Sequence, residues 1–428
     1  MTKDSDLSTR LCVGEELYFL FFALHLAYSA SLFFCSGRTL GEMHVKLVSL
    51  KYSENVGRDQ EWVLNKLTLG NKNLIVGRNS TGNTRTLLVL ASLARTLSSP
   101  QNAISPSGNY YCEWLDSANK SYIYEYVVEN AEVLSERLTI EGKVYLDRQA
   151  GGVGLIFFEK VNNGEFLPFQ TPLHEFAISK KRDALQHSFI EPLHQWASEV
   201  RHYFFGSSFG KEHMVVFAPN MPPVDEKDAN QLVGLFRNAI RDFGDGFVSA
   251  VVQDMQFLGF DVETVELGFP VSVIPEYVPP GLNGIRLKEK GVRGYVDQIT
   301  MSQGMYRVLA LLINVNFLLV KRTSTCVIID DIGEGLDYER SCRLITLLRS
   351  KADASNIQII MSTNDRFVMD EVPLNEWTVL HRRGFEVYVS NYTNSKEKFD
   401  QFRFTGLSNF SFFEMDYLES SEWEDENA

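Results

Sequence analysis

Leu74-Ile75-Val76-Gly77-Arg78-Asn79-Ser80-Thr81-Gly82-Asn83-Thr84-Arg85-Thr86 sets how the remainder of the chain is read. An apolar run enters a glycine-bearing turn, and a helical pattern (Leu87, Leu88, Leu90, Leu93) leaves it. This is the layout of a phosphate-binding loop, in which backbone N–H groups and a helix N-terminus face an anion and glycines permit close approach. Gly77, Gly82 and Thr84 fit the pattern G-x-x-x-x-G-K-[ST], but the lysine position holds Asn83. Taken alone, the stretch reads equally well as an ordinary strand-turn-helix connection.

Working outward, 428 residues with 44% hydrophobic content support a sizeable core, in one large domain with an inserted lobe or in two domains. A net charge of −14 disfavours a whole-surface nucleic-acid binder while leaving a local basic patch open. The five cysteines (Cys12, Cys35, Cys112, Cys326, Cys342) are scattered, without a C-x-x-C or Cys/His cluster, which points to free thiols in a reducing, cytoplasmic compartment.

The first 42 residues differ from the rest. Leu17 to Ser36 is nearly all apolar and about long enough, at about 20 residues, to cross a bilayer. Asp4, Asp6, Glu15 and Glu16 against Lys3 and Arg10 make a poor signal-peptide leader, and Tyr28 spoils the best cleavage site. Three readings fit: a single-span membrane anchor, a hydrophobic helix packed on the protein, or translated upstream sequence with the true start at Met43. The clean strand that Met43 opens favours the last.

Residues 43–97 read as short strands leading to the glycine-bearing turn and its helix. Residues 98–264 read as an inserted lobe. Its period-two alternation, as in Tyr122-Ile123-Tyr124-Glu125-Tyr126, predicts antiparallel strands from Tyr110 to Phe158. Helices are expected over Lys180–Phe205 and Asp225–Phe257, the second interrupted near Gly244-Asp245-Gly246. Lys180-Lys181-Arg182 is a solvated helix end or, less commonly, a phosphate or nucleic-acid contact. Residues 265–418 return to strands, then to an apolar helix (Met305–Val320), a buried strand (Thr325–Ile329), a helix (Tyr338–Ser350) and a second buried strand (Ile357–Ser362). That alternation predicts an α/β fold with a parallel sheet covered on both faces. Residues 419–428 form an acidic tail.

Three further stretches carry chemistry. Cys326-Val327-Ile328-Ile329-Asp330-Asp331 is an apolar strand ending in paired acids. In a phosphate-loop protein the first acid helps to hold Mg²⁺ and the second orients or deprotonates the attacking water; alone, the pair reads more simply as the cap of a turn. Met301-Ser302-Gln303-Gly304-Met305 offers a hydroxyl and helix N-terminal N–H groups to a phosphate. Ile359-Ile360-Met361-Ser362-Thr363-Asn364-Asp365 is a strand ending in a polar side chain that both donates and accepts hydrogen bonds.

With these stretches in this order, the chain resembles the bacterial ATP-binding proteins of the RecF/SMC-like branch of ABC ATPases, often called AAA-family ATPases. The phrases that carry the resemblance are Met43–Leu47, Gly77–Thr86, Ser302–Met305, Asp330–Asp337, Thr363–Phe367 and Phe404–Leu407. It implies a P-loop NTPase head of the ABC type with an inserted antiparallel β and helical lobe. It further implies ATP and Mg²⁺ as cofactors, ATP hydrolysis, and a homodimer that sandwiches ATP and signals to a partner. Several such proteins serve in phage defence or beside a co-encoded effector.

Carried over by position, Gly77, Asn79, Gly82, Asn83, Thr84 and Arg85 line the triphosphate, with Thr84 on Mg²⁺ and Asp330 holding the metal through water. Asp331 is the catalytic carboxylate and Asn364 the switch residue. Ser302 and Gly304 complete the partner subunit's site, and Asp337 lies at the dimer seam. Gln170 is the candidate for the glutamine that such proteins place near the metal, although a surface loop explains it more simply. Asn83 cannot replace a lysine's charge, so hydrolysis is expected to be slowed; the alternative is a non-hydrolysing scaffold that works through protein contacts. The resemblance leaves nucleic-acid binding open, and a membrane partner follows only if residues 17–36 are a span.

Overall fold

The computed structural model describes residues 44–99, 105–159, 164–322 and 324–418. The hydrophobic leader and the acidic tail lie outside the described residues, and with them the three readings of the leader.

The long sheet begins with strands whose apolar residues alternate. β1 (Val45–Glu54), β2 (Trp62–Thr68) and β3 (Lys72–Gly77) lead to helix α1 (Asn83–Ser98). Next come β4 (Ser107–Asp116), β5 (Ser121–Glu129), β6 (Glu132–Ile140), β7 (Lys143–Arg148), β8 (Val153–Phe158) and β9 (Glu165–Gln170). In β4 every second residue from Gly108 to Asp116 is buried, which is what one covered face demands of a pleated strand. β4 to β9 continue antiparallel from the outer edge of β1. The expectation of antiparallel strands from Tyr110 to Phe158 is met.

Helix α2 (Ala177–Lys180), helix α3 (Glu191–Glu199) and strand β10 (Arg201–Phe204) follow. Here the structure corrects the expectation of one helical stretch over Lys180–Phe205. Arg201–Phe204 pairs in parallel with a later strand, and that tertiary pairing overrides local propensity. Strand β11 (Val215–Val216) precedes helix α4 (Leu232–Phe257), which breaks at Gly244, a residue with φ 64°. The rings of Phe236 and Phe247 lie 6.1 Å apart. Eleven residues of straight helix would set them roughly 16 Å apart along the axis, so the two halves fold back on one another at Gly244.

Strands β12 (Val262–Gly268), β13 (Leu282–Glu289) and β14 (Val296–Asp297) join β11 in a small separate sheet. The remaining elements are α5 (Gln303–Lys321), β15 (Thr325–Asp330), α6 (Tyr338–Asp353), β16 (Ile357–Ser362), α7 (Arg366–Glu371), β17 (Trp377–Arg383), β18 (Glu386–Asn391), α8 (Lys396–Arg403) and α9 (Asn409–Glu414). α5 has the length and hydropathy of a membrane span, yet 72% of that window is buried inside the fold, as befits a core helix.

One 14-stranded sheet runs β10-β15-β16-β3-β17-β18-β2-β1-β4-β5-β6-β7-β8-β9. Its first five strands are mutually parallel. All six residues of β15 and of β16 are buried, and so are five of the six in β3. Such continuous apolar runs are required where both faces of a sheet are covered. The fold is mixed α/β. The chain reaches β3 from β2 and next joins the sheet at β4, both on the β17 side of β3, so it reverses its direction of travel across the sheet at β3. In open α/β sheets such a reversal leaves a crevice at the carboxyl ends of the strands.

A buried ion pair organises the antiparallel part. Arg148 and Glu136 are fully buried and 2.7 Å apart. Glu136 also accepts from the Tyr124 hydroxyl and from the backbone N–H groups of Ala177 and Ile178. The Arg148 guanidinium donates to the carbonyls of Pro172 and Glu175. These bonds pin the segment before α2 against β6 and β7.

Candidate functional site at the carboxyl ends of the parallel strands

β3, β16 and β15 are consecutive neighbours and parallel, so the turn after Gly77, the segment Thr363–Asn364 and the acids Asp330–Asp331 leave the same edge of the sheet side by side. Stretches far apart in the chain thereby become one site, in the crevice at the reversal.

A side chain at Gly77 would displace the loop's own side chains. A Cβ there would stand 2.3 Å from Thr81 Oγ1, 2.6 Å from Asn83 Oδ1 and 3.2 Å from the Leu380 carbonyl. Gly82 caps α1 in the left-handed region at φ 112°, where a side chain would also press on the Trp62 ring. Asn83 turns back into the loop: its Nδ2 donates to the Gly77 carbonyl at 3.3 Å, and its Oδ1 accepts from the Thr81 hydroxyl at 3.2 Å. Thr84, on the first turn of α1, and Asn79, at the tip of the loop, are exposed. The flanking arginines are bound to protein carboxylates. Arg85 pairs with Glu54 and lies over the Trp62 ring at 4.6 Å, and Arg78 pairs with Asp416.

Asp330 is buried at the end of β15 and accepts a hydrogen bond from the Ser362 hydroxyl. That same oxygen accepts from the Asp331 N–H at 3.0 Å, so Ser362 ties the two acids to β16. Asp331 holds φ 55°, a left-handed conformation rare outside glycine. Burial, with the like charges of Asp330 and Glu334, pushes its carboxyl above the usual carboxylate range. Asn364 is exposed beyond the end of β16.

Ser302, Gly304 and Asp337 form a second group. Ser302 caps α5, its hydroxyl accepting from the Met305 N–H at 3.2 Å. Gly304 lies against the Gly335 carbonyl, where a Cβ would come within 2.8 Å. Asp337 caps α6 through the Arg340 N–H, the main reason its carboxyl is held below its usual range. Arg307 links this group to the acids: its guanidinium donates to the Ser207 carbonyl at 2.8 Å, the Glu334 carbonyl at 3.1 Å and the Gly206 carbonyl.

Gln170 is not brought to the site. It is exposed on β9, the far edge strand, ten strand positions from β3. Trp62, Ser362, Arg307 and the loop after β10 carry no mark in the sequence. A tryptophan beginning a strand and a serine ending one are common, and only their tertiary neighbours single them out.

The residues fit a nucleotide carrying its own cation. A side chain at Gly77 would fill the inside of the turn, Gly82 closes it in the left-handed conformation, and Thr84 and Asp330 supply a hydroxyl and a carboxylate. Among the described residues no group of three or more His, Cys, Asp or Glu could hold a metal ion unaided. Mg²⁺ is ordinarily held by one or two protein groups together with substrate phosphates, so the two fit that mode.

No known sequence family and no curated protein matches the chain. Similar solved structures include an SmcHead bound to the C-winged helix domain of ScpA, at 11% identity and TM-score 0.49, covering 80% of this chain and 97% of that one. Another is an Smc head domain with an extended coiled coil, bound to the C-terminal domain of ScpA and derived from Pyrococcus furiosus. It gives 10% identity and TM-score 0.48, covering 84% of this chain and 100% of that one. The SMC head domain from Thermotoga maritima gives 10% identity and TM-score 0.41, covering 81% and 98%.

Proposed function

We propose that the chain is a P-loop ATPase of the ABC type, with Gly77–Thr84 as the phosphate loop, Thr84 and Asp330 on Mg²⁺, and Asp331 as the carboxylate facing the attacking water. The observation that carries this reading is the adjacency of β3, β16 and β15, which sets a glycine cradle, a buried acid and a polar switch side by side. Thr84 and Asp330 would hold Mg²⁺, which offsets phosphate charge when bound. Asp331, with its raised carboxyl, is suited to accept a proton from water, and Asn364 to orient the terminal phosphate. Asn83 supplies no charge and is bonded within the loop, so turnover is slow.

Gly304 packs on the loop after the acids and Arg307, one turn along α5, bonds to it, which fits the start of α5, with Ser302 as its cap, serving the site of a second copy. Closure of two copies on ATP would then pass to a partner protein through α5 and α6. The test measures nucleotide affinity, phosphate release and molecular mass, each with and without ATP-Mg²⁺. Binding, slow release that Asp331→Ala removes, and a doubling of mass with ATP are expected. Loss of the binding itself on Thr84→Ala with Gly82→Val assigns the nucleotide to this turn. ATP binding with a release rate indifferent to Asp331→Ala would replace the enzyme by a nucleotide-binding scaffold, a reading that Asn83 specifically favours. An unchanged monomer mass would sink the paired mechanism.

A further inference from the structure

Asp331 opens a turn that Glu334 closes, the Glu334 N–H donating to the Asp331 carbonyl at 3.2 Å. Asp331 holds φ 55° there, a conformation that surrounding structure must enforce. One hold comes from β16: the Asp331 N–H donates to the Ser362 hydroxyl at 3.0 Å and the Ile332 N–H to the Ser362 carbonyl at 2.9 Å. The other comes from α5, through Arg307. We propose that Arg307 is a positioning residue, which fastens the Asp331 turn to the start of α5 so that a second copy seated on α5 sets the Asp331 carboxylate for reaction. This rests on Asp331 being the carboxylate that faces water and on the start of α5 being the surface that a second copy meets.

The Arg307 guanidinium places three of its five donors on main-chain carbonyls, Nε on Ser207 at 2.8 Å, Nη1 on Glu334 at 3.1 Å and Nη2 on Gly206. A rigid planar fork filled in this way has one orientation, and it fixes the two loops relative to each other. Glu334 closes the Asp331 turn, while Gly206 and Ser207 belong to the loop that leaves β10 beside Asp330. That second loop is itself tied down. The Phe205 N–H donates to the Asp330 carbonyl at 2.9 Å, Gln303 Nε2 to the Ser207 carbonyl at 3.1 Å and Lys211 Nζ to the Met301 carbonyl at 2.6 Å. A Cβ at Gly206 would stand 2.1 Å from a Glu334 carboxylate oxygen, so the Glu334 side chain lies against that backbone as well.

Met301, Gln303 and Arg307 surround the exposed Ser302 cap, so whatever seats on that cap moves or steadies the loop after β10 and the turn after β15 together. Gln303 reaches only the first of these loops; Arg307 reaches both. Without Arg307 the Asp331 turn keeps its hold on β16 and loses its hydrogen bond to α5. A residue that merely props the fold would lower stability or nucleotide affinity when removed. One that positions Asp331 lowers the rate of the reacting complex and leaves binding in place.

Hydrogen exchange and steady-state kinetics on the full chain test this. With ATP-Mg²⁺, exchange should slow in the wild-type protein both at the Met305 and Tyr306 amides of α5 and at the Glu334 and Leu336 amides after the acids. In Arg307→Ala the first pair should still respond and the second should not. The same variant should lose about tenfold or more in kcat for phosphate release, with KM for ATP within about twofold of wild type and the ATP-dependent doubling of mass retained. Arg307→Lys, which keeps the charge but not the fork, should show a smaller loss of kcat of the same kind, and thermal melts check that both variants fold. A kcat in Arg307→Ala equal to wild type, a rise in KM with kcat unchanged, or an undiminished response of Glu334 and Leu336 overturns the proposal. A wild-type protein that stays monomeric with ATP-Mg²⁺ overturns the paired reading and this inference with it. One that pairs, with turnover indifferent to Arg307, overturns this inference alone.

Discussion

The Asn83 side-chain amide donates to the Gly77 carbonyl at 3.3 Å, closing the turn from its last residue to its first. The position that carries the phosphate-gripping lysine in G-x-x-x-x-G-K-[ST] is here a staple inside the loop. Asn83→Lys should therefore raise both ATP affinity and phosphate release. Charge-assisted hydrogen bonds contribute about 1.5–3 kcal/mol each, so a rise of roughly 10- to 150-fold in affinity is expected from one such bond. Equal release rates for the two proteins would show that Asn83 does not limit turnover.

Asp331 gives a prediction with a definite sign. Its folded carboxyl is raised above the ordinary value, so the folded state binds this proton more tightly than the unfolded chain does. The resulting penalty is present above the raised value, at neutral pH, and vanishes below the ordinary carboxylate range. Asp331→Asn should consequently raise the melting temperature at about pH 7, with the gain fading at acid pH, while abolishing phosphate release. Glu334→Gln removes one of the like charges and should move the acid limb of the rate profile to lower pH. A melting gain equal at all pH values would rule out ionisation as its cause.

Ser362 serves both acids through one oxygen. Ser362→Ala leaves the buried Asp330 carboxylate short of a donor and should cost about 1–3 kcal/mol in denaturant unfolding. Mg²⁺ dependence of nucleotide binding should weaken in the same variant. Unaltered Mg²⁺ dependence would mean that Asp330 does not meet the cation.

The Glu136–Arg148 pair is fully buried, so removing one partner strands a charge without solvent. Glu136→Ala should destabilise the fold by about 3–5 kcal/mol and free the segment before α2, read as faster amide exchange at Ala177 and Ile178. A loss within the range of an exposed ion pair, about 0–1 kcal/mol, would contradict the burial.

What the sequence by itself determined was local. β3, the glycine turn and the start of α1 are contiguous, and glycine spacing with apolar periodicity states them outright. The apolar run ending in Asp330-Asp331 and the serine cap at Ser302 were legible for the same reason. Tertiary structure decided whatever depends on distant partners. Arg201–Phe204 becomes a strand because β15 accepts it, against its helical surroundings in sequence. Ser362 meets Asp330 across 32 residues, Arg307 meets Gly206 across 101, and Arg78 meets Asp416 across 338. Single side chains carry no periodic signal for such contacts. The role of Asn83 belongs to both levels: sequence showed that the charge was missing, and only the folded loop, with Thr81 on one side of the amide and Gly77 on the other, showed where that amide goes.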